Sequence, residues 1–310
     1  MRGLFVGLAT LDVVQRVGQW PGVNEKVVAQ RSDIAAGGPA AVAAVTFGAL
    51  GGRSVLLSAL GPGPVARLAA AELDRAGVHV VDAWAAGPDL SISAITVLDD
   101  TGQRSVVSRN AEDLTAVVPD DLPALVGDTD IVLIDGHHPE LAVAAARVAA
   151  AVGIPVVLDC GSPKPVYAEL VPLADAVVCS AGFVTDPDRS DPDRSDPDRS
   201  DAAAAALLAD GARLVAMTAG AAPVRWWTRQ DSGALMVPRV AVRDTLGAGD
   251  VLHGAVAFAR ARGVTDPQRS LSFGIAVASL RVQHVGPRAW LADQRLRVLI
   301  AEMWAAVSGS

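Results

Sequence analysis

Seven consecutive residues, Asp244-Thr245-Leu246-Gly247-Ala248-Gly249-Asp250, have the types and spacing of a phosphoryl-transfer site. A loop of small residues feeding a helix presents several free backbone N–H groups to one point, backed by the positive end of the helix dipole. Glycines at 247 and 249 let a polyphosphate approach the backbone with no Cβ in the way. Asp250 stands where the helix is expected to begin, and two roles compete for it. As an N-cap it would contribute about 1 kcal/mol. As a base it would accept the proton of a hydroxyl attacking phosphorus. Two carboxylates, Asp244 and Asp250, bracketing a glycine turn are more than a cap requires.

Competing chemistries fail on spacing. The chain has no G-x-x-x-x-G-K-[ST], no G-x-G-x-x-G after its first strand, and no H-E-x-x-H, C-x-x-C or G-x-S-x-G. The histidines 79, 137, 138, 253 and 284 lack metal-ligand spacing beyond the pair His137-His138, and neighbours on a strand point to opposite faces. That pair reads as structural.

Such a loop needs a sheet and helices to hold it. Short buried-strand runs are expected at Leu4–Leu8, Ser54–Leu60, Ile131–Ile134, Val156–Leu158, Ala176–Cys179, Leu214–Thr218 and Leu235–Val242. Between them, helical spacing covers Ala40–Leu50, Val65–Ala76, Pro139–Val152 and Ala202–Ala209, and Val251–Arg262 follows the glycine loop. This alternation means a mostly parallel sheet covered on both faces, an α/β fold. Two segments break the rhythm. Ser91–Leu98 and Arg104–Arg109 alternate around the turn Asp99-Asp100-Thr101-Gly102, and Val23–Ser32 reads as extended. Together they predict a small antiparallel lid from about 13–33 and 90–110 on one domain spanning 1–310. In the first lid strand Ile92, Ala94, Thr96 and Leu98 share one side, and Ser91, Ser93, Ile95 and Val97 the other. Both sides carry branched apolar residues, which points to a homodimer joined through the lids with Ile95 or Val97 facing the partner.

Residues 186–201 repeat Asp-Pro-Asp-Arg-Ser three times before a final Asp. With no apolar residue and a proline in each unit, the stretch is expected to be a low-complexity, solvated loop without helix. Composition excludes several classes. The 26 Lys and Arg against 34 Asp and Glu give a net charge of −8, opposite to the footprint of a nucleic-acid or anionic-membrane binder. Ile34–Gly52 is uncharged for about 19 residues, but glycine and proline interrupt it and alanine dominates it, so no span is expected. Two cysteines, Cys160 and Cys179, make neither a disulfide framework nor a zinc site, consistent with a cytoplasmic setting.

Asp244–Asp250 followed by Val251-Leu252-His253-Gly254-Ala255 resembles the second signature of the ribokinase-like (pfkB) sugar kinases. Gly37-Gly38-Pro39-Ala40 resembles the family's di-glycine signature, Gly3–Gly7 with Asp12 its opening strand and sugar-binding aspartate, and Thr218-Ala219-Gly220 its Thr-x-Gly turn. The resemblance implies a ribokinase-like fold and an ATP-dependent carbohydrate kinase. Asp250 would be the base, and the backbone of Gly247, Ala248 and Gly249 would hold the transferring phosphoryl. Asp12, Gly37, Gly38, Val42 and Arg109 would face the sugar. Ser180, Thr218, Gly220 and Asp244 would lie on the cofactor side, with ATP, Mg²⁺ and, near Asp244, a monovalent cation such as K⁺ in members that use one. Lid-to-lid dimers are also implied.

Three departures from the family pattern stand out. Val42 replaces a frequent asparagine, Ser180-Ala181-Gly182-Phe183 replaces the Asn-x-x-Glu associated with magnesium, and Pro223 replaces a frequent glycine. Asp135-Gly136-His137-His138 and Cys179-Ser180 look most similar to the ketohexokinase and sulfofructose-kinase branch. A ketose or polyol is the expected acceptor. A nucleoside kinase of the same fold and a non-catalytic ligand-binding or regulatory protein are the alternatives.

Overall fold

The computed structural model describes residues 1–180, 183 and 197–308. Along the chain, β1 (Arg2–Val6), β2 (Thr10–Val17) and β3 (Arg31–Gly37) precede α1 (Pro39–Ala49), β4 (Arg53–Ser58), α2 (Pro64–Arg75), β5 (Val78–Asp82) and β6 (Trp84–Ala86). Next come β7 (Ile92–Leu98), β8 (Arg104–Val107), β9 (Thr115–Ala116), α3 (Leu122–Gly127), β10 (Ile131–Ile134) and α4 (Pro139–Val152). Then follow β11 (Val156–Cys160), α5 (Tyr167–Leu170), β12 (Ala176–Ser180), α6 (Pro197–Ala209) and β13 (Val215–Thr218). The chain closes with β14 (Val224–Trp227), β15 (Ser232–Leu235), α7 (Ala248–Ala261), α8 (Pro267–Arg281) and α9 (Arg295–Ser308).

Nine strands form the main sheet in the order β15-β14-β13-β12-β11-β10-β1-β4-β5, parallel except for the β13–β14 and β14–β15 pairings. Strands buried on both faces need apolar residues at every position, which is why β10 reads Ile-Val-Leu-Ile. Successive residues then serve opposite layers. Phe5 packs with α1 and α7, stacking edge-on against Phe47, whereas Leu4 and Val6 join the cluster that includes α4. A Cβ on Gly254 would come within 2.5 Å of the Ala43 carbonyl oxygen, so glycine is what lets α7 lie close on α1.

Three expectations need correction. No strand runs through Leu235–Val242: β15 ends at Leu235, and the stretch holding Pro238 and the exposed Met236 is irregular, while β14 and β15 form a hairpin instead. The end of the acidic repeat is helical, because Pro197 opens α6, where its missing N–H is no loss. Its last aspartate is not merely solvated: the Asp201 carboxylate accepts from Arg225 Nη2 at 2.7 Å and Trp227 Nε1 at 2.9 Å. The preceding residues 186–196 lie outside those described.

The lid is the four-stranded sheet β3-β2-β7-β8. It is mixed rather than purely antiparallel, since β2 and β7 run parallel while both outer pairings are antiparallel. Of Val23–Ser32, only Arg31 and Ser32 are in a strand, and the lid extends instead to Thr10 and Gly37. Ile95 and Val97 do not face outward: they are buried with Val14 against Leu246 of the glycine loop. The outward row is Val107–Ala94–Val13–Ile34, set by the strand register.

Candidate active site

The parallel strands deliver their polar residues to one edge of the sheet, the carboxyl ends where α/β folds build sites. Asp135 follows β10, Asp159 is the penultimate residue of β11, and Ser180 and Thr218 end β12 and β13 side by side in register. Asp135 organises this edge. Its Oδ2 accepts from Leu8 N at 2.8 Å and from Ala40 N at 3.1 Å, and its Oδ1 from His137 N at 2.9 Å. Burial would push this carboxyl up, but His137 and the donated backbone bonds outweigh it and hold the group well below the usual carboxylate range. His137 Nδ1 lies 3.0 Å from Asp135 Oδ1, so His137 serves this carboxylate.

The di-glycine turn sits above it. Gly38 has φ 92°, and a Cβ there would meet the Leu8 carbonyl oxygen at 2.3 Å; a Cβ on Gly37 would meet Asp12 Oδ2 at 2.1 Å. Asp12 therefore lies directly against Gly37. Burial raises its pKa, against hydrogen bonds from Thr10 and Ser93 and the positive charge of Arg288. Arg288 also clamps the end of β3, donating to the Ala36 carbonyl at 2.7 Å while paired with Glu72.

Asp250 is not the helix cap. Gly247 occupies the cap position with φ 71°, α7 starts at Ala248, and Asp250 sits inside the first turn without capping it. Burial and the negative charge of Asp159 push its pKa up to about 7, with His253 and Arg104 opposing and Asp12 adding to the rise. Asp159 is raised too, by burial against the pull of His253. Oxygens of Asp159 and Asp250 and a ring nitrogen of His253 lie within 4.8 Å of one another. Neither ring nitrogen of His253 is free to move, since Nδ1 is 2.8 Å from Gly249 O and Nε2 3.1 Å from Val178 O. Val42 Cγ1 approaches the Cβ direction of Gly247 at 3.6 Å, so this wall of the site is apolar.

At the ends of β12 and β13, Ser180 Oγ donates to Gly161 O at 2.7 Å, and Gly220 turns the chain after Thr218 with φ 60°. Phe183 stacks edge-on against Tyr167 and is a packing residue. Ala181 and Gly182 lie outside the described residues. Asp244 is buried: Oδ1 accepts from Leu246 N at 2.9 Å and Oδ2 from Gly286 N at 3.1 Å.

Arg109 is not brought to these residues. Its side chain is exposed and paired with Asp113 one helical turn's spacing away. A lid arginine that does reach the glycine loop is Arg104, which donates to Thr245 Oγ1 at 2.9 Å. With Trp20, Gln103, Val106 and Thr245 it lines a cleft of about 490 Å³ between lid and glycine loop. Sequence reasoning passed over Arg104 and Trp20; the available signal was a basic residue in an alternating lid strand and an aromatic beside Pro21-Gly22.

Residues 4–294 match the pfkB family of carbohydrate kinases. The chain is similar to a ribokinase of Arabidopsis thaliana, 25% identical over 305 residues covering 94% of this chain and 78% of that protein. Its fold is similar to the structure of Arabidopsis thaliana ribokinase complexed with ribose and ATP, with TM-score 0.77, 23% identity and coverage of 96% and 98% of the two chains. It is also similar to adenosine kinase from Sinorhizobium meliloti, with TM-score 0.75, 19% identity and coverage of 96% and 98%. No helix among the described residues is long and apolar enough to cross a membrane. With its sheet edge, di-glycine turn and glycine loop in place, the chain belongs to the pfkB family of carbohydrate kinases.

Proposed function

We propose that this kinase transfers the terminal phosphoryl of ATP to a hydroxyl of a compact sugar or sugar derivative, a ketose or polyol. The observation that carries this reading is Asp250: it lies inside the first turn of α7, without a capping bond, beside the backbone that would hold the phosphoryl. Asp12 and the glycines 37 and 38 would hold the acceptor, and Asp250 would take the proton as the hydroxyl attacks. Phosphoryl transfer asks mainly for positioning and charge stabilisation, which the amides of Gly247, Ala248 and Gly249 and the dipole of α7 supply. Asp159 Oδ2 is buried with no hydrogen bond and fits the divalent cation that accompanies ATP, compensating for the acid absent at Phe183. That ion would neutralise phosphate charge when bound. The apolar wall at Val42 suits an acceptor with few hydroxyls on that side.

The test is a coupled ADP-release assay with Mg²⁺ over ketoses, aldoses, polyols and nucleosides. Turnover is expected with a ketose or polyol. Preference for a nucleoside would replace the acceptor class, and binding without ADP release across the panel would favour a ligand-binding role.

The lid carries a second expectation. Ile34, Ile92 and Val107 are exposed at 57%, 49% and 72%, on the face turned away from the site. Pairing of two such faces by a two-fold contact would cover them. Sedimentation is expected to show a dimer, and Ala94→Glu, at the centre of the row, a monomer with higher KM for the acceptor. A monomeric unmodified protein at micromolar concentration would refute it. Charge at Ile95 or Val97 would test something else, because those residues hold the lid against Leu246.

A further inference from the structure

We propose that the guanidinium groups of Arg16 and Arg281 stand permanently where a monovalent cation would serve Asp244, so that this enzyme neither binds nor needs such an ion. The proposal deepens the kinase reading, and its binding measurements stand apart from it. The three side chains are 5%, 2% and 1% exposed, respectively. Arg16 Nη2 lies 3.3 Å and Arg281 Nη2 3.6 Å from Asp244 Oδ2, the first a close pair, the second an ion-pair separation without a hydrogen bond.

A bound monovalent cation wants carboxylate and carbonyl oxygens with no donors aimed at them. Here the donors are already in place. Arg16 Nη2 donates to the Arg243 carbonyl at 3.1 Å, and Arg281 Nη1 to the His284 carbonyl at 2.9 Å. The Val282 carbonyl accepts from the amides of Arg243 and Asp244 at 2.7 and 3.1 Å. Both oxygens of Asp244 accept backbone N–H bonds as well. The charge balance points the same way. Two buried cations face one buried carboxylate, with Asp99 reaching only the outer side of Arg16 and being 47% exposed on its side chain. Arg104 adds further positive potential at Arg281, as does Arg288, although Arg288 is itself paired with Glu72. A third cation would enter a cluster that is already net positive.

The substitution also changes what the ion position is attached to. Arg16 belongs to lid strand β2, and its other nitrogen reaches Leu98 O at 3.4 Å and Asp99 Oδ1 at 3.3 Å at the lid turn. One guanidinium thus ties the lid to the residue that starts the glycine loop. A diffusible ion could not do that.

The experiment compares the full chain in K⁺, Rb⁺, Na⁺ and tetramethylammonium chlorides at equal ionic strength. Melting temperature, Tl⁺ binding by ²⁰⁵Tl NMR and turnover of the accepted sugar are read in parallel. The unmodified protein is expected to show no specific melting shift and no Tl⁺ site, and kcat should change by less than about twofold between salts. Arg281→Met, which keeps the stem and removes the charge, should melt lower in tetramethylammonium and recover in K⁺ or Rb⁺, while Arg281→Lys should need no added ion. A saturable rise of kcat or melting temperature with K⁺ in the unmodified protein would overturn the proposal. So would a folded Arg281→Met without a cation response. If that variant does not fold, Arg16→Met and the unmodified protein decide the matter. Should no acceptor be phosphorylated, the kinase reading fails alone, because the melting and Tl⁺ measurements need no substrate.

Discussion

Asp250→Asn is expected to lower kcat by about 10²–10⁴-fold, the range in which general-base catalysis contributes, while ATP and sugar affinities stay within a few-fold. Asparagine keeps the shape and removes only the proton acceptor. Because Gly247 fills the cap position, α7 should start as before. The pH dependence supplies an independent check. Asp250 is pushed up to about 7, first by burial and then by the charge of Asp159. Its active, deprotonated form therefore grows as pH rises, so kcat/KM of the unmodified enzyme should climb through a one-proton step near 7 and the variant's residual activity should not. Stability runs the other way. A carboxyl held above its unfolded value stabilises the fold only while protonated, and that contribution is lost as pH rises through about 7. The variant should thus melt near the unmodified protein below about pH 4, where folded and unfolded carboxyls are both protonated, and above it at pH 8. Retention of more than a tenth of kcat would reduce Asp250 to a structural residue.

Asp135→Ala should have the largest effect on stability. Three backbone amides, those of Leu8, Ala40 and His137, would lose their acceptor in the interior. An unsatisfied buried donor costs about 1–3 kcal/mol, so a loss of roughly 3 kcal/mol or more is expected. At about 2–4 °C per kcal/mol for chains of this size, the melting temperature should fall by roughly 6 °C or more. Leu8 and Ala40 flank the glycines proposed to hold the acceptor, so KM for the acceptor should rise with it. Asp135→Asn, which keeps one acceptor oxygen, should cost less. The carboxyl is held well below its ordinary value, so its contribution is present above the unfolded carboxylate range and persists until the solution is strongly acidic. A melting temperature unchanged in Asp135→Ala would show that water replaces the carboxylate.

The linear chain already contained what depends on neighbours. Continuous apolar runs such as Ile131–Ile134 specify strands buried on both faces, and helices opened by Pro39, Pro64 and Pro139 carry their own start signals. Asp244–Asp250 announced an anion site because backbone amides at a helix start act locally. Other features were decided by pairing at long range. Whether Asp250 caps α7 turned on which residue begins the helix, and only the observed start at Ala248 showed that it does not. Branched apolar residues on both sides of β7 left its inward face undetermined until the register with β2 and the contact with Leu246 chose Ile95 and Val97. Arg104, not Arg109, reached the glycine loop because β8 begins at Arg104 and ends at Val107, which leaves Arg109 beyond the strand and paired with Asp113. Arg16 in β2 and Arg281 at the end of α8 carry no signal in the sequence. Their meaning came from burial beside Asp244, since buried charge is balanced by whatever the tertiary fold brings within a few ångströms, however distant in the chain.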